Sequence, residues 1–475
     1  MDKKSLPLHM VGKLITLVQL ILALVLAGFV WSTKLIPTKY VILLAVILLV
    51  LFAITFGLQF IRSKLYIFGV ILSIIISLAQ VVGLLAVAKA NKAIDNVGGA
   101  DFKTTNMVVV VKKDDPAENL MDAAYHRFAV QTAVDQDNTE KMLDDINTKL
   151  GKEVKVEEYK TVQEEAEALL KGRIDAAIYN EALTDIIEES IEGYSDKVRV
   201  LYRFGIDTKL ETKETNLEEP FNIYISGIDV AGPITSNSRS DVNIIMTVNP
   251  NTRHILLSTT PRDYYVEIPG ISNGQKDKLT HAGIYGVDAS MKTLEKLYSI
   301  EMSYYVRVNF TSLIKIVDAL GGVDVKSDVA FTTKHGSFQI KKGMNHLDGE
   351  TALGFSRERY SFADGDNQRG KNQEAVLTAI LKKAMSPAIL TAADEILTDV
   401  GDCVQTNMTS DEMKKFINRQ LDDPKSWKIE SVAVSGSNDR QACFSSGSQI
   451  LYVMQPEMAS VKVVSNKMQS ILEEK

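Results

Sequence analysis

Residues 238–263 read SRSDVNIIMTVNPNTRHILLSTTPRD. Val242 to Val248 and His254 to Thr260 are apolar, β-rich runs, and the Asn249-Pro-Asn-Thr segment between them is a turn signal, so the two runs are expected to form a hairpin. In an antiparallel hairpin the start of one strand lies beside the end of its partner, which sets Arg239 and Asp241 next to Arg262 and Asp263 at one sheet edge. Asn222 to Ile228 reads as a further strand; if it too pairs antiparallel with the second strand, Asp229 arrives at the same edge. Carboxylates and guanidiniums converging in this way form either a mutual ion-pair network or a site bridged by a magnesium-bound diphosphate. The second case uses oxygen ligands for the metal and guanidinium forks for the phosphates.

A second basic group follows. In Ser356-Arg-Glu-Arg-Tyr, an extended backbone sets Arg357 and Arg359 on one face and Glu358 on the other. Asp364, Asp366 and Arg369 occupy the loop that comes next. From Lys371 to Met385 the spacing is helical, with Val376, Leu377, Ile380, Leu381 and Ala384 as the buried stripe. Arg369 and Gln373 extend that stripe toward the positive end of the helix dipole, a place suited to an anion. The alternative is an ordinary helix start with solvated arginines.

Outward toward the amino terminus the composition changes. Leu14 to Trp31, Tyr40 to Ile61 and Tyr66 to Ala88 are each near the roughly 20 residues that cross a hydrocarbon core as helix. Three such stretches do not describe a cleaved signal peptide, so a retained membrane anchor over residues 1–93 is expected. Lys3, Lys4, Lys13, Arg62 and Lys64 on one side outnumber Lys34, Lys39, Lys89 and Lys92 on the other by one, which slightly favours a cytoplasmic amino terminus and an extracellular remainder. Cys403 and Cys443, the only two cysteines, both lie in that remainder and fit a disulfide in an oxidised compartment, with two unrelated buried thiols as the alternative.

Residues 1–93 hold nine Lys or Arg against one Asp, so 44 of the 53 basic and 59 of the 60 acidic residues lie beyond them, about 15 negative charges net. That surface repels nucleic acid, and an anionic ligand needs a local arginine cluster. Residues 94–105 are small and polar, as in a linker. Residues 94–215 alternate strand and helix patterns, with Met107 to Val111, Val154 to Tyr159, Ala176 to Tyr179 and Val198 to Phe204 as strands. Ala117 to Ala133, Asn138 to Leu150, Thr161 to Leu170 and Glu181 to Ile191 read as helices. This is an α/β accessory domain without a ligand cluster. A polar stretch ending at Pro220 leads into the last domain, residues 216–475. His281, His335 and His346 lack metal-ligand spacing and are read as surface or core, and no serine or cysteine nucleophile with a positioned base is evident.

From Tyr224 to Ala384 the chain resembles the catalytic domain of the LytR-CpsA-Psr family. The motifs that carry the resemblance are Gly227-Ile-Asp, Ser238-Arg-Ser-Asp, Ser258-Thr-Thr-Pro-Arg-Asp, Leu320-Gly-Gly-Val-Asp-Val, Gly343-Met-Asn-His-Leu-Asp-Gly-Glu-Thr-Ala-Leu, Ser356-Arg-Glu-Arg-Tyr and Asp366-Asn-Gln-Arg-Gly-Lys-Asn-Gln. Seven in order are specific. The three spans and accessory domain are similar to the capsule-associated streptococcal members. The resemblance implies a central mixed β-sheet flanked by helices and a pocket for a polyprenyl diphosphate-linked glycan. It further implies Asp229 and Asp241 near magnesium, with Arg239, Arg262, Arg357, Arg359, Arg369 and Gln373 around the diphosphate. The implied reaction is a phosphotransferase step moving capsular or other envelope polysaccharide onto a peptidoglycan hydroxyl. Arg262 and Arg359 would stabilise developing charge, and Asp366 or Asp263 would be the base. Membrane lipid and capsule assembly proteins are further expected partners. Two other readings stand beside this one: a non-catalytic lipid-glycan binding protein, and a membrane-bound regulator of capsule synthesis. Only about a dozen residues precede the first span, too few for a cytoplasmic output domain.

Overall fold

The structure, a computed structural model, describes the chain except residues 1–4, 62–64, 98, 100–101, 211–215, 229–233, 235, 363–364 and 387–403. The side chains of residues 5–9, 93, 96–97 and 366–367 are likewise outside it. The chain divides into two compact units: residues 1–99 with 382–402 and 408–426, and residues 100–381 with 403–407 and 427–475.

In the first unit α1 (Ser5–Thr33), α2 (Thr38–Leu58) and α3 (Leu65–Val97) contain apolar segments of 24, 21 and 28 residues, long and apolar enough to cross a membrane. The Thr55 hydroxyl donates to Gln19 Oε1 at 2.9 Å, a buried polar link between α2 and α1 of the sort that joins helices where water is scarce. A helix far along the sequence, Ser410–Asp422, belongs to this unit. Its start is closed by a Thr409–Glu412 capping box. It is fastened by Lys414 to Asp95 at 2.8 Å, by Asn418 to the Lys34 carbonyl at 3.0 Å, and by Asp422 to Lys39 at 2.9 Å.

The second unit opens with a five-stranded sheet, order β3-β2-β4-β1-β5, formed by β1 (Phe102–Lys112), β2 (Arg127–Gln131), β3 (Lys155–Tyr159), β4 (Ala176–Asn180) and β5 (Val198–Lys209). Helices α4 (Gln136–Leu150), α5 (Val162–Leu170) and α6 (Thr184–Ser190) complete it. One expectation fails here. The helix read over Ala117 to Ala133 is replaced by turns and then β2, because Phe128, Ala129 and Val130 are buried on both faces of a strand between parallel neighbours. Asn119 and Asp122 hold the preceding turns with side-chain-to-backbone bonds. The expected linker 94–105 is also shorter than read, since α3 runs to Val97 and β1 starts at Phe102.

The second sheet has six strands in the order 404–406, 304–309, β6 (Phe221–Ile228), β7 (Ser240–Asn249), β8 (His254–Thr259), 428–433. β6, β7 and β8 are successively antiparallel, whereas 304–309 runs parallel to β6 and 428–433 parallel to β8. The sheet is therefore mixed, as expected. Tyr224, Ile245 and Leu256 form its core with Leu294 and Tyr298 from helix Val287–Tyr298 and Val461, Val464 and Met468 from helix Met458–Leu472. Each such aliphatic burial is worth about 1.5–3 kcal/mol.

The expected disulfide is not found among the described residues. Cys443 is a free thiol, 2% exposed, in an apolar cluster with Leu451 and Val453 and packed against Tyr265. Burial pushes its pKa up to about 12, so it behaves as a small hydrophobe. Cys403 lies outside the described residues.

Candidate active site

The hairpin register decides what meets at the sheet edge. Ile244 pairs with Thr259, and the Thr260 N–H donates to the Asn243 carbonyl, so the next residues outward, Asp241 and Arg262, come opposite each other. Arg262 Nη1 lies 2.7 Å from Asp241 Oδ1, and Thr280 Oγ1 donates to the same oxygen at 3.2 Å. Beneath them Tyr224, Ser226, Ser240 and Asn243 form a buried hydrogen-bond network that fixes the start of β7. Gly227 stands at a register shift between β6 and β7, where a Cβ would meet Val242 at 2.6 Å; only glycine fits so close to the strand that carries Asp241.

A cavity of about 380 Å³ opens at this edge. Asp241, Val242 and Arg262 line one side, and Phe310, Lys334, His335, Arg357, Glu358, Arg359, Tyr360, Arg369 and Gln373 the rest. Of the residues singled out from sequence, Asp241, Arg262, Arg357, Arg359, Arg369 and Gln373 thus share one wall system. Asp229 lies outside the described residues, as does the side chain of Asp366, which opens helix Asp366–Ala384. Asp263 is buried off the cavity, 3.7 Å from Arg262 and 3.5 Å from Lys278. Arg239 does not line it either; its guanidinium is paired with Glu189 at 2.7 Å and Asp185 at 3.0 Å, both from α6.

The second arginine pair is built differently from the extended reading. Asp348 caps helix Gly349–Arg357, so Arg357 sits in a last helical turn and Glu358 is extended. Asn372 of the following helix donates to the Phe355 carbonyl at 3.1 Å, which ties helix 366–384 to this end and brings Arg369 and Gln373 alongside. Arg357 stacks on Phe310 at 4.1 Å. Glu358 does not point away. It is buried and accepts from the backbone N–H groups of Lys334, Tyr360 and Ser361 at 2.5, 2.8 and 2.9 Å, stapling the 333–336 turn to the arginine segment. Burial opposes its charge, yet the N–H groups of Lys334, Ser361 and Tyr360 outweigh burial and hold its carboxyl below the usual range.

The cavity is strongly cationic. Arg359 Nη2 donates to the Tyr360 hydroxyl at 2.7 Å and Lys334 Nζ lies 3.9 Å from the ring centroid. The hydrogen bond from Arg359, with the charges of Arg359 and Lys334, holds that phenol below its ordinary pKa. Lys334 was not signalled by the sequence and His335 was read only as surface or core, because a turn between two-residue strands, 331–332 and 339–340, delivers both from across the fold; Tyr360 was read only as the end of the Ser356-Arg-Glu-Arg-Tyr motif. His281 is core, bound to Asp277 at 2.6 Å and Ser445 at 2.9 Å; His346 is at the surface, 2.8 Å from Asp324. Among the described residues no group of three His, Cys, Asp or Glu could hold a metal by itself. Asp241 sets a carboxylate on the cavity wall, the kind of group that would hold magnesium together with phosphate oxygens of a substrate.

Four guanidiniums and Lys334 against the carboxylates of Asp241 and Glu358 in a shared cavity make a site for a multiply charged oxyanion. A DNA polymerase processivity factor profile matches residues 63–179, but that span runs from apolar α3 into β4 and covers a minor part of the chain. The chain is 34% identical over 294 residues, 60% of its length and 90% of the relative's, to the polyisoprenyl-teichoic acid--peptidoglycan teichoic acid transferase TagU of Bacillus cereus. It is 38% identical over 203 residues, 42% of this chain and 66% of the relative, to the protein of the same name from Enterococcus faecalis. A crystal structure of B. subtilis TagV is 27% identical with a TM-score of 0.47, covering 54% of this chain and 99% of that one. The profile of the LytR_cpsA_psr family matches residues 189–469, more than half of the 475, and the chain belongs to that family.

Proposed function

We propose that this LytR-CpsA-Psr transferase is held in the membrane by α1 to α3, with its second unit extracellular. It moves an envelope glycopolymer, in the capsular class, from a polyprenyl diphosphate carrier to a peptidoglycan hydroxyl. The observation that carries the reading is the meeting of Arg262, Arg357, Arg359 and Arg369 with Asp241 and Gln373 in one cavity. The relatives named above act on polyisoprenyl-linked teichoic acid and peptidoglycan, which supports the same reaction class.

In the reaction the acceptor oxygen forms a bond to the phosphorus bearing the glycan. The bond from that phosphorus to the bridging oxygen breaks, and polyprenyl monophosphate leaves. Arg262 and Arg359 stabilise the charge that grows on the bridging and equatorial oxygens, while Arg357, Arg369 and Gln373 hold the diphosphate. Asp366 takes the hydroxyl proton; Asp263 is the poorer candidate because it is buried between two cations. Asp241 together with Asp229 would hold a magnesium ion, which when bound supplies positive charge to the phosphate oxygens.

The experiment is to give the full chain in lipid vesicles a labelled polyprenyl diphosphate glycan and peptidoglycan, with and without magnesium. Label should pass to peptidoglycan as polyprenyl monophosphate appears. Tight binding with no label transferred under either condition contradicts the reading and leaves a binding protein.

A further inference from the structure

The five-stranded domain has no part in the reaction just described, yet its α6 (Thr184–Ser190) reaches the residues that precede β7. Arg239 is 20% exposed and gives one nitrogen to Glu189 at 2.7 Å and another to Asp185 at 3.0 Å. The other Glu189 oxygen lies 3.8 Å from Lys278, which is 3.5 Å from Asp263, itself 3.7 Å from Arg262 of the cavity wall. Gln449 donates to the Glu189 carbonyl at 3.0 Å, so the carboxylate bearer is fixed to the catalytic side.

Arg239 stands two residues before Asp241, which lines the cavity. We propose that Asp185 and Glu189 are positioning residues of the transfer site: they hold the Arg239 guanidinium away from the cavity, and an anionic diphosphate must win it from them. The proposal rests on the diphosphate reading of the cavity. Two carboxylate groups occupy the fork that would otherwise grip phosphate oxygens, as charge-assisted pairs of the same geometry. A ligand that needs Arg239 therefore binds with its affinity reduced by the fraction of molecules in which the fork is already taken. Glu189 also shares Lys278 with Asp263, so neutralising it leaves the wall more positive as well as releasing Arg239.

The test is equilibrium binding of polyprenyl diphosphate in mixed micelles to the full chain and to Asp185→Asn/Glu189→Gln, a pair of near-isosteric changes whose folding is checked by thermal unfolding. The double variant should bind about five- to tenfold more tightly, the worth of one partly exposed charge-assisted hydrogen bond. Adding Arg239→Ala should cancel that gain. A purely structural contact would weaken binding or leave it alone, so unchanged or weaker binding by a folded double variant overturns the proposal. A gain that survives Arg239→Ala overturns it too, because the acids would then act only through the general field. If the parent chain does not bind polyprenyl diphosphate at all, the diphosphate reading falls and this inference with it.

Discussion

Arg359 and Glu374 show how single side chains in this site answer to different forces. Arg359 is a ligand in the reading above, fixed by Tyr360 rather than by core packing. Replacing it with Ala should lower transfer about a hundredfold or more while thermal unfolding stays close to the parent's. Unfolding of that variant, or full activity, shows that the role is misassigned. Glu374 follows Gln373 on the helix but turns inward, where burial raises its pKa from 4.5 to about 7. For an acid whose folded pKa is raised, stability is fully present below about 4.5 and is lost as pH climbs through about 7. Glu374→Gln should remove that loss, so its unfolding free energy should gain on the parent's between those pH values, by at most about 3 kcal/mol at alkaline pH. Parallel pH profiles for the two proteins would show that Glu374 is not buried as described.

At the scale of elements, β7 is the part on which the site depends. Gly283 lies against its start: an added Cβ would meet the Ser238 carbonyl at 2.4 Å and the Ser240 nitrogen at 2.8 Å, and backbone cannot give way as a side chain can. Gly283→Ala should therefore cost about 1–3 kcal/mol and weaken transfer by displacing Asp241, measured by denaturant unfolding and turnover on the same sample. A stable, fully active variant would show that β7 has room to move. The β6–β8 meander was legible because its signals are local: alternating apolar runs and one Asn249-Pro turn. The helix 349–357 was not, since nine residues with Gly349 and Gly354 give a weak helical signal and the deciding cap is Asp348. β2 was misread because a strand buried on both faces has no alternation to show. Lys334 escaped notice, and His335 was set aside as surface or core, because they reach the cavity through pairing that no neighbouring residue announces. The pairing of Arg239 with Asp185 and Glu189 spans about fifty residues, where sequence spacing is silent.

The whole molecule joins distant stretches of chain. Helix 410–422 follows the catalytic motifs in sequence but is fastened to Lys34, Lys39 and Asp95 beside the apolar helices. Removing residues 1–99 should strip those partners, and hydrogen exchange over 410–422 should rise about tenfold or more while β6 to β8 stay protected. Equal protection with and without the apolar helices would show that this helix stands without them. The central claim concerns the phosphoanhydride itself, and phosphorus NMR of the full chain in vesicles with a polyprenyl diphosphate glycan and peptidoglycan tests it most directly. The account predicts that the diphosphate signals disappear while a phosphodiester and a phosphomonoester grow in equal amounts, and that Arg359→Ala halts the conversion. Diphosphate signals that persist beside bound ligand, or conversion to two phosphomonoesters with no diester, would contradict it.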